Sequence, residues 1–338
     1  MKRDKIKRMR SIDYRNKLRS SIFLVLLFVM MGCAEDTKVK VIKLGHGLDT
    51  SHPVHRAMAF MSEMLKEKSN GTVLIDIYPN QQLGSERETL ELLQIGSLGM
   101  TKVSTAVLEN FVPSLKVFGL PYLFRDSEHR FKVLEGELGE RLLDASLGQR
   151  LKGLTYYDSG TRNFYGKIPL ETPEDLEGLK IRVQESITAM NLVKSFGASP
   201  TPIAWGELYT ALQQGIVDGA ENNLPSFYLS RHYEVCKYLV MDEHTAIPDE
   251  LLISTLVWNK LSLKEQKWLK EAAMESSEYQ KGIWSKSEFE ALEEIKKAGV
   301  KVIMPDKDLF SEKVQPMYKE FFQDPEMKKT IEAIQAVK

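Results

Sequence analysis

Two arginines, Arg162 and Arg182, are the residues of this chain best suited to bind a negatively charged ligand. Arg182 lies in the alternating segment 181–183, Ile-Arg-Val, so its side chain points away from the face that both apolar neighbours share. A planar guanidinium can bind a carboxylate through two parallel hydrogen bonds, which a lysine ammonium cannot do. Most arginines on strands are solvated, so an ordinary surface charge is the alternative interpretation.

Arg162 follows a turn at residues 159–161, where the composition changes and a second run of strands and helices begins. Arg182 lies on the next strand of that run. Ligand sites of α/β proteins tend to lie in crevices and at strand ends, so both arginines are candidates to face a cleft between two domains.

The segment 201–223, TPIAWGELYTALQQGIVDGAENN, supplies two further candidates. Its apolar spacing predicts a helix over residues 205–215 that ends at Gly215, followed by a short buried strand. Trp205 can cover the apolar face of a sugar ring, or it can simply pack in the core. Asn222 stands at the carboxyl end of the strand, where it can contact a ligand or form an ordinary turn.

Motifs of several catalytic and nucleotide-binding classes are absent from the sequence, namely GxGxxG, GxxxxGK[ST] and GxSxG. His52 and His55 form an HxxH pair, but a helix that starts at Pro53 explains this pair more simply than a metal site does. Residues 242–244, Asp-Glu-His, could be an acid/base pair, although we interpret them as the rim of a loop. We therefore expect no catalysis, no metal and no cofactor.

The amino-terminal 32 residues have the organisation of a lipoprotein signal peptide. Nine of the Lys and Arg residues fall within residues 1–19, and ten apolar residues, IFLVLLFVMM, follow at 22–31. Ten residues are too few to span a bilayer, which needs about 20. Gly32-Cys33 resembles a lipobox, which predicts acylation of Cys33, a tether over residues 33–38 and a periplasmic protein anchored to a membrane. The alternative is a cleavage site with an incidental cysteine.

Charge and cysteine content restrict the function further. The 46 basic and 47 acidic residues nearly balance, and no basic stripe follows the amino terminus, so we expect no nucleic-acid partner. Cys236 is the only cysteine besides Cys33. If Cys33 carries lipid, no intramolecular disulfide can form, and stability must come from a packed core.

Strand and helix patterns alternate along the rest of the chain, which predicts an α/β protein with parallel sheets covered by helices. An apolar strand is predicted over residues 251–257. Residues 262–298 contain no proline, which predicts a single helix of about 55 Å that backs two domains.

Five segments in order resemble the solute-binding proteins of TRAP transporters (the DctP family). They are YPNQQLGSERE (78–88), LPYLFRD (120–126), SGTRNFY (159–165), EGLKIRV (177–183) and the segment 201–223. The resemblance extends from residue 43 to the terminal helix. It implies a two-domain periplasmic-binding-protein fold with an interdomain ligand cleft. Residues 39–159 with 248–287 would form domain I, and residues 160–247 with 288–338 would form domain II.

The resemblance also implies roles for single residues. The arginine matching Arg182 forms a salt bridge with the ligand carboxylate, and the residues matching Arg162 and Asn222 support the same group. The aromatic residue matching Trp205 packs over the ligand. The acidic residue matching Glu86 contacts the hydroxyl end.

Residues 220–249 resemble the branch of the family that binds hexuronates, which implies D-glucuronate or D-galacturonate as the ligand. Sialic-acid binders carry a glutamate and an arginine where this chain has Ser104 and Val107, and this smaller wall argues against a nine-carbon ligand. The residues expected to read hydroxyl groups are His46, Glu86, Ser104 and Asn163.

The resemblance thus implies capture of a sugar acid by domain closure and delivery to a TRAP membrane permease. Other carboxylates, such as 2,3-diketogulonate or mannuronate, remain alternatives. A sensor subunit that presents the ligand to a membrane receptor is a second alternative. An enzyme that acts on sugar acids is disfavoured.

Overall fold

The computed structural model describes residues 39–338. The predicted signal peptide, the tether and Cys33 lie outside the described residues. Within the described part, no helix is both long and apolar enough to cross a membrane.

Eleven described strands form two sheets. One sheet has the order β2-β1-β3-β10-β4 and the other has the order β11-β9-β5-β8-β6-β7. The strands are β1 (Lys40–Gly45), β2 (Val73–Tyr78), β3 (Met100–Ser104), β4 (Leu151–Tyr157), β5 (Arg162–Gly166), β6 (Lys180–Val183), β7 (Ser199–Pro202), β8 (Gly219–Asn222), β9 (Tyr238–Thr245), β10 (Asp249–Ser254) and β11 (Lys301–Ile303). We call the five-stranded sheet, β2-β1-β3-β10-β4, the first sheet and the six-stranded one the second sheet.

Helices connect the strands within each sheet. The described α-helices are α1 (Pro53–Lys68), α2 (Glu86–Gln94), α3 (Thr105–Leu108), α4 (Ser127–Glu135), α5 (Glu137–Leu143), α6 (Ile187–Ser195), α7 (Leu208–Gln214), α8 (Leu224–Leu229), α9 (Thr255–Trp258), α10 (Leu263–Lys297), α11 (Lys307–Lys313), α12 (Gln315–Phe321) and α13 (Pro325–Ala336). Short 3₁₀ turns add Pro113–Gly119, Asp144–Gln149, Pro173–Leu176, Trp205–Glu207 and His232–Glu234.

The prediction of parallel sheets holds only in part, because both sheets are mixed: β1–β3, β6–β7, β6–β8 and β9–β11 are parallel pairs, and other pairs are antiparallel. In the first sheet, β10 is antiparallel to both β3 and β4. In the second sheet, β5 is antiparallel to β8 and β9. The strand β5 enters the second sheet through a short link from β4 of the first sheet. The strand β10 enters the first sheet through a short link from β9 of the second sheet. Their direction is therefore set by the crossing and not by a strand–helix–strand unit.

Helix ends follow the sequence signals closely. The α2 helix starts after Ser85 in a capping box with Glu88, and Gly215 ends α7 in the left-handed conformation. Two predicted bounds differ from the structure. The helix predicted over residues 205–215 begins as a 3₁₀ turn, and the strand predicted over residues 251–257 ends at Ser254, where α9 begins.

The long helix α10 is present and continuous, and Ser262 caps its start. Leu269, Ala272, Ala273 and Trp284 pack in the apolar cluster beside the first sheet. Ala291 and Ile295, nearer its end, belong to the cluster beside the second sheet. One helix therefore packs against both halves of the chain, as the sequence predicted.

A buried carboxyl group, Glu250, interrupts the apolar core between β3 and β4. Its side chain is fully buried, and neither carboxyl oxygen has a hydrogen-bond partner among the described residues. Burial, and then the charge of Asp144, raises the pKa of Glu250 well above its usual range. The folded protein therefore favours the neutral form of this group more strongly than the unfolded chain does.

Replacement of Glu250 by glutamine should stabilise the protein increasingly as the pH rises above about 4.5. Above that pH the unfolded chain ionises Glu250 more fully than the folded chain does, so the wild type loses stability that the glutamine variant keeps. Thermal denaturation from pH 4.5 to 8 measures the difference in Tm between the two proteins. Glu312→Gln, on an exposed position of α11, is the control. A Tm difference between wild type and Glu250→Gln that stays constant with pH would contradict a raised pKa of Glu250 in the folded protein.

Candidate ligand-binding cleft

A cleft is lined by residues from both sheets and encloses about 640 Å³, which includes space open to solvent. The second sheet contributes its residues at the carboxyl ends of β6 and β8, where ligands bind in α/β folds. Five of the predicted site residues line the cleft: Glu86, Arg162, Arg182, Trp205 and Asn222.

Arg182 is held in place by a single backbone carbonyl. Its Nε and Nη2 atoms donate to the oxygen of Ile203, at 2.9 and 2.7 Å. Its Nη1 atom is buried and has no hydrogen-bond partner among the described residues, and the side chain forms no ion pair with any described carboxylate. Burial, and to a lesser extent the charge of Arg162, lowers the pKa of Arg182. A guanidinium nevertheless stays charged, so the cleft contains a positive charge without a bonded counter-ion.

Arg162, by contrast, is already paired. Its Nε and Nη2 atoms form a two-pronged ion pair with the carboxylate of Glu221, and Nη2 also donates to the Glu221 backbone oxygen at 3.0 Å. Both side chains are buried. Burial alone would raise the pKa of Glu221, but Arg162 and His244 together lower it to about 2. Among the described residues, the Nη1 atom of Arg162 is the one nitrogen that contacts a side chain other than Glu221, and it donates to Asn222.

Asp242 and His244 extend this network, and the prediction that they form the rim of a loop is wrong. Both lie in β9 and are fully buried, because alternate residues of a strand share one face. The Nδ1 atom of His244 donates to Asp242 Oδ2 at 2.7 Å, and its Nε2 atom lies 3.6 Å from Glu221 Oε2. Burial alone would lower the pKa of His244, but Asp242 and Glu221 raise it to about 9. The four charges of Arg162, Glu221, His244 and Asp242 therefore balance.

Asn222 and Trp205 complete the surroundings of the two arginines. The Oδ1 atom of Asn222 accepts hydrogen bonds from Arg162 Nη1 at 3.1 Å and from the backbone N–H of Asn223 at 2.8 Å. The amide Nδ2 atom is therefore the group of Asn222 that can donate to a ligand. The Trp205 ring lies 5.8 Å from the Arg182 guanidinium carbon, within cation–π range.

The opposite wall of the cleft comes from the first sheet and from the start of α2. Lys102 in β3 places its Nζ atom 3.0 Å from Glu86 Oε1 and 3.1 Å from Asp249 Oδ2. The backbone N–H of Ser104 also donates to Glu86 Oε1 at 3.2 Å. Lys102 and Asp249 were not predicted as site residues. Two signals could have pointed to them: Lys102 lies in the alternating pattern of β3, and Asp249 stands at the start of β10.

The other three predicted site residues do not line the cleft. His46 accepts from the backbone N–H of Leu48 through Nδ1 and contacts His55 Nδ1 through Nε2 at 3.0 Å. Burial, followed by the charge of Lys102, lowers the pKa of His46 to about 2, so this ring is neutral.

Ser104 and Asn163 lie behind the lining residues. The hydroxyl of Ser104 donates at 3.4 Å to Gln184, which does line the cleft. The amide of Asn163 bonds the backbone of Thr161 and Glu243, on the strand face opposite Arg162.

Several polar cleft residues were not predicted as site residues. His52 caps α1, as its sequence indicated, and its Nε2 atom also contacts the hydroxyl of Ser226 across the cleft at 3.3 Å. Gln81 Nε2 is a second buried donor without a partner among the described lining residues. The remaining polar lining residues are Ser85, Ser159, Gln184, Glu185 and Asn223.

The arrangement is suited to binding an anion. The two unpartnered buried atoms of the described lining, Arg182 Nη1 and Gln81 Nε2, are both N–H donors. Buried donors without partners are costly, so a ligand that supplies oxygen acceptors satisfies them. Among residues 39–338, no group of three or more His, Cys, Asp or Glu side chains is placed to hold a metal ion.

Comparisons with known proteins agree with this geometry. Residues 44–324 match the family described as bacterial extracellular solute-binding protein, family 7. A solved TRAP periplasmic solute-binding protein from Xanthobacter autotrophicus, with bound β-D-galacturonate, is 38% identical. Its TM-score is 0.86, over 88% of this chain and 100% of that one.

Two further relatives are similar over comparable lengths. A TRAP periplasmic solute-binding protein from Chromohalobacter salexigens, solved with bound D-glucuronate, is 33% identical with a TM-score of 0.85 over 88% of this chain and 100% of that one. The protein YiiZ of Salmonella typhimurium, which is uncharacterised, is 40% identical over 88% of this chain and 92% of its own length.

Replacement of Glu221 by alanine should lower the free energy of unfolding by about 3–5 kcal/mol, because it leaves the buried Arg162 guanidinium without its counter-ion. Denaturation by urea at pH 7 measures the change. Glu234→Ala is the matched control, because Glu234 pairs with Arg231 at 3.8 Å on the surface. The control should lose less than about 1 kcal/mol. Equal losses in the two variants would contradict a structural role for the buried pair.

Proposed function

The chain belongs to family 7 of the bacterial extracellular solute-binding proteins, and we propose that it captures a sugar acid for a TRAP transporter. Members of this family bind solutes and are not enzymes, and the cleft fits that role. The observation that carries the proposal is the Arg182 guanidinium, which is buried, charged and without a bonded carboxylate. A ligand carboxylate is the group that would complete this site.

We propose a hexuronate, D-galacturonate or D-glucuronate, as the ligand. The related proteins solved with these two sugar acids are 38% and 33% identical and share the fold over 88% of this chain. A hexuronate carries a carboxylate for Arg182, a ring face for Trp205 and hydroxyl groups for Glu86. The Asn222 amide and the Arg162 Nη1 atom would assist at the carboxylate.

The remaining predicted site residues take roles that their positions support. Ser104 contacts Gln184 and His46 accepts from the backbone N–H of Leu48, and both of these partners line the cleft. Ser104 and His46 would therefore orient the lining residues that read hydroxyl groups. Asn163 is further removed, because its amide is bonded to the backbone of the second sheet. Direct hydroxyl recognition by these three residues stays a prediction.

Domain closure is the proposed means of capture. Domain I would comprise residues 39–159 and 248–287, and domain II would comprise residues 160–247 and 288–338. The links between β4 and β5 and between β9 and β10, together with α10, connect the two halves. Contacts that cross the cleft, such as His52 to Ser226, support a closed form. A ligand that binds both walls would shift the equilibrium towards that form, which a TRAP membrane permease would recognise.

The Arg182→Ala and Arg182→Lys variants should each bind D-galacturonate or D-glucuronate at least about 30-fold more weakly, a loss of about 2 kcal/mol or more. Alanine removes the charge, and lysine cannot reproduce the planar donor geometry. Isothermal titration calorimetry measures both affinities. Arg231→Ala is the control, because Arg231 is exposed. Affinity within threefold of wild type for either Arg182 variant would contradict the carboxylate site.

Lipid anchoring at Cys33 is a separate part of the proposal. The full chain with an intact Cys33 should appear in the membrane fraction of cells, and Cys33→Ser should appear in the soluble periplasmic fraction, because the acyl chains are absent. Cell fractionation with immunoblotting compares the two. Cys236→Ser, which removes a buried thiol, is the control. Equal distribution of wild type and Cys33→Ser would contradict the anchor.

A further inference from the structure

Three charged side chains form one end of the cleft wall on the first sheet. Lys102 is buried between Glu86 and Asp249, and its side chain is only 4% exposed. Asp249 lies opposite Ser104 in the ladder between β10 and β3, so backbone pairing fixes its position beside Lys102. Glu86 is fixed by the capping of α2 and by the Ser104 backbone N–H. We call Glu86, Lys102 and Asp249 the acidic end.

The charges of the acidic end do not cancel as those around Arg162 do. One ammonium serves two carboxyl groups, so the three side chains carry a net negative charge when both carboxyl groups are ionised. Burial, and to a lesser extent the charge of Glu86, raises the pKa of Asp249, whereas Lys102 opposes this shift. Each carboxylate uses one oxygen for Lys102. The other oxygens, Glu86 Oε2 and Asp249 Oδ1, have no hydrogen bond among the described residues, and both side chains line the cleft.

A carboxylate oxygen accepts hydrogen bonds and cannot donate them. The acidic end is therefore able to receive the O–H groups of a polyol. The third N–H of the Lys102 ammonium can donate to a hydroxyl oxygen at the same place. On the facing wall, Arg182 of the second sheet provides the opposite charge, because it has no bonded carboxylate among the described residues. The cleft thus has a positive wall and a negative wall.

We propose that the acidic end makes the cleft selective for sugar acids with one carboxylate and rejects those with a carboxylate at both ends. This inference rests on the proposed function. An aldarate, the dicarboxylic acid of a sugar, would place its second carboxylate beside Glu86 and Asp249. That group has no proton to donate, and it would add a like charge where Lys102 is already shared.

The test compares ligands that differ in one terminal group. Galactonate and galactarate are both open chains, and galactarate carries a second carboxylate where galactonate carries CH₂OH. D-Galacturonate serves as the ring-form reference. Calorimetry on the wild-type protein should show that galactarate binds at least about 100-fold more weakly than galactonate.

Two variants remove one negative charge while keeping the shape and an acceptor oxygen: Glu86→Gln and Asp249→Asn. Each should narrow the ratio of the two Kd values about tenfold, mainly through tighter binding of galactarate. Glu91→Gln removes the same charge from the exposed face of α2, where Glu91 pairs with Arg87, and it should leave the ratio unchanged.

Three results would overturn the inference. Galactarate could bind wild type as tightly as galactonate, or the Glu86→Gln and Asp249→Asn variants could keep the wild-type ratio. Galactonate could also bind as weakly as galactarate while galacturonate binds well, which would assign the discrimination to ring shape. Failure of the proposed function is a different outcome, in which none of the monocarboxylates, including D-glucuronate, binds.

Discussion

The cleft depends on one difference between two buried arginines. The charge of Arg162 is neutralised by Glu221, and the charge of the neighbouring His244 is neutralised by Asp242. Among the described residues, Arg182 is contacted by the carbonyl of Ile203 and the ring of Trp205, and by no carboxylate. Burying a charge without a counter-ion is costly, and that cost is recovered when a ligand supplies a carboxylate. In the proposed function, specificity for acids over neutral sugars would follow from the same unpaired charge.

The rest of the fold keeps this charge in place. β6 carries Arg182 on the face opposite to Ile181 and Val183, and both faces are buried there. The adjacent β7 leads directly to Ile203, whose carbonyl fixes the guanidinium. The facing wall belongs to the other sheet, so a ligand between Arg182 and Glu86 contacts both. Two crossing links and the helix α10 connect the sheets. In the proposed function, this arrangement would couple ligand binding to the relative position of the two walls.

Sequence reasoning predicted the elements well where local signals were strong, as in α1, α2 and α10. The position of Arg182 in the cleft was also predicted, because strand alternation and the family resemblance pointed to the same residue, and its contact with a ligand stays a prediction. The antiparallel direction of β10 could not be predicted, because it depends on pairing with β3 and β4, which are distant in sequence. Lys102 was missed because a lysine on a strand is normally solvated, and only its pairing with residues 16 and 147 positions away explains its burial. Asp242 and His244 were misplaced because a polar cluster is typical of loops, and their partner Glu221 is distant in sequence.

A crystal structure of the protein with D-galacturonate tests the central claim most directly. The account predicts that the ligand carboxylate lies within about 3 Å of Arg182 Nη1 and that hydroxyl groups contact Glu86 on the facing wall. A carboxylate bound at Lys102, with hydroxyls towards Arg182, would contradict it.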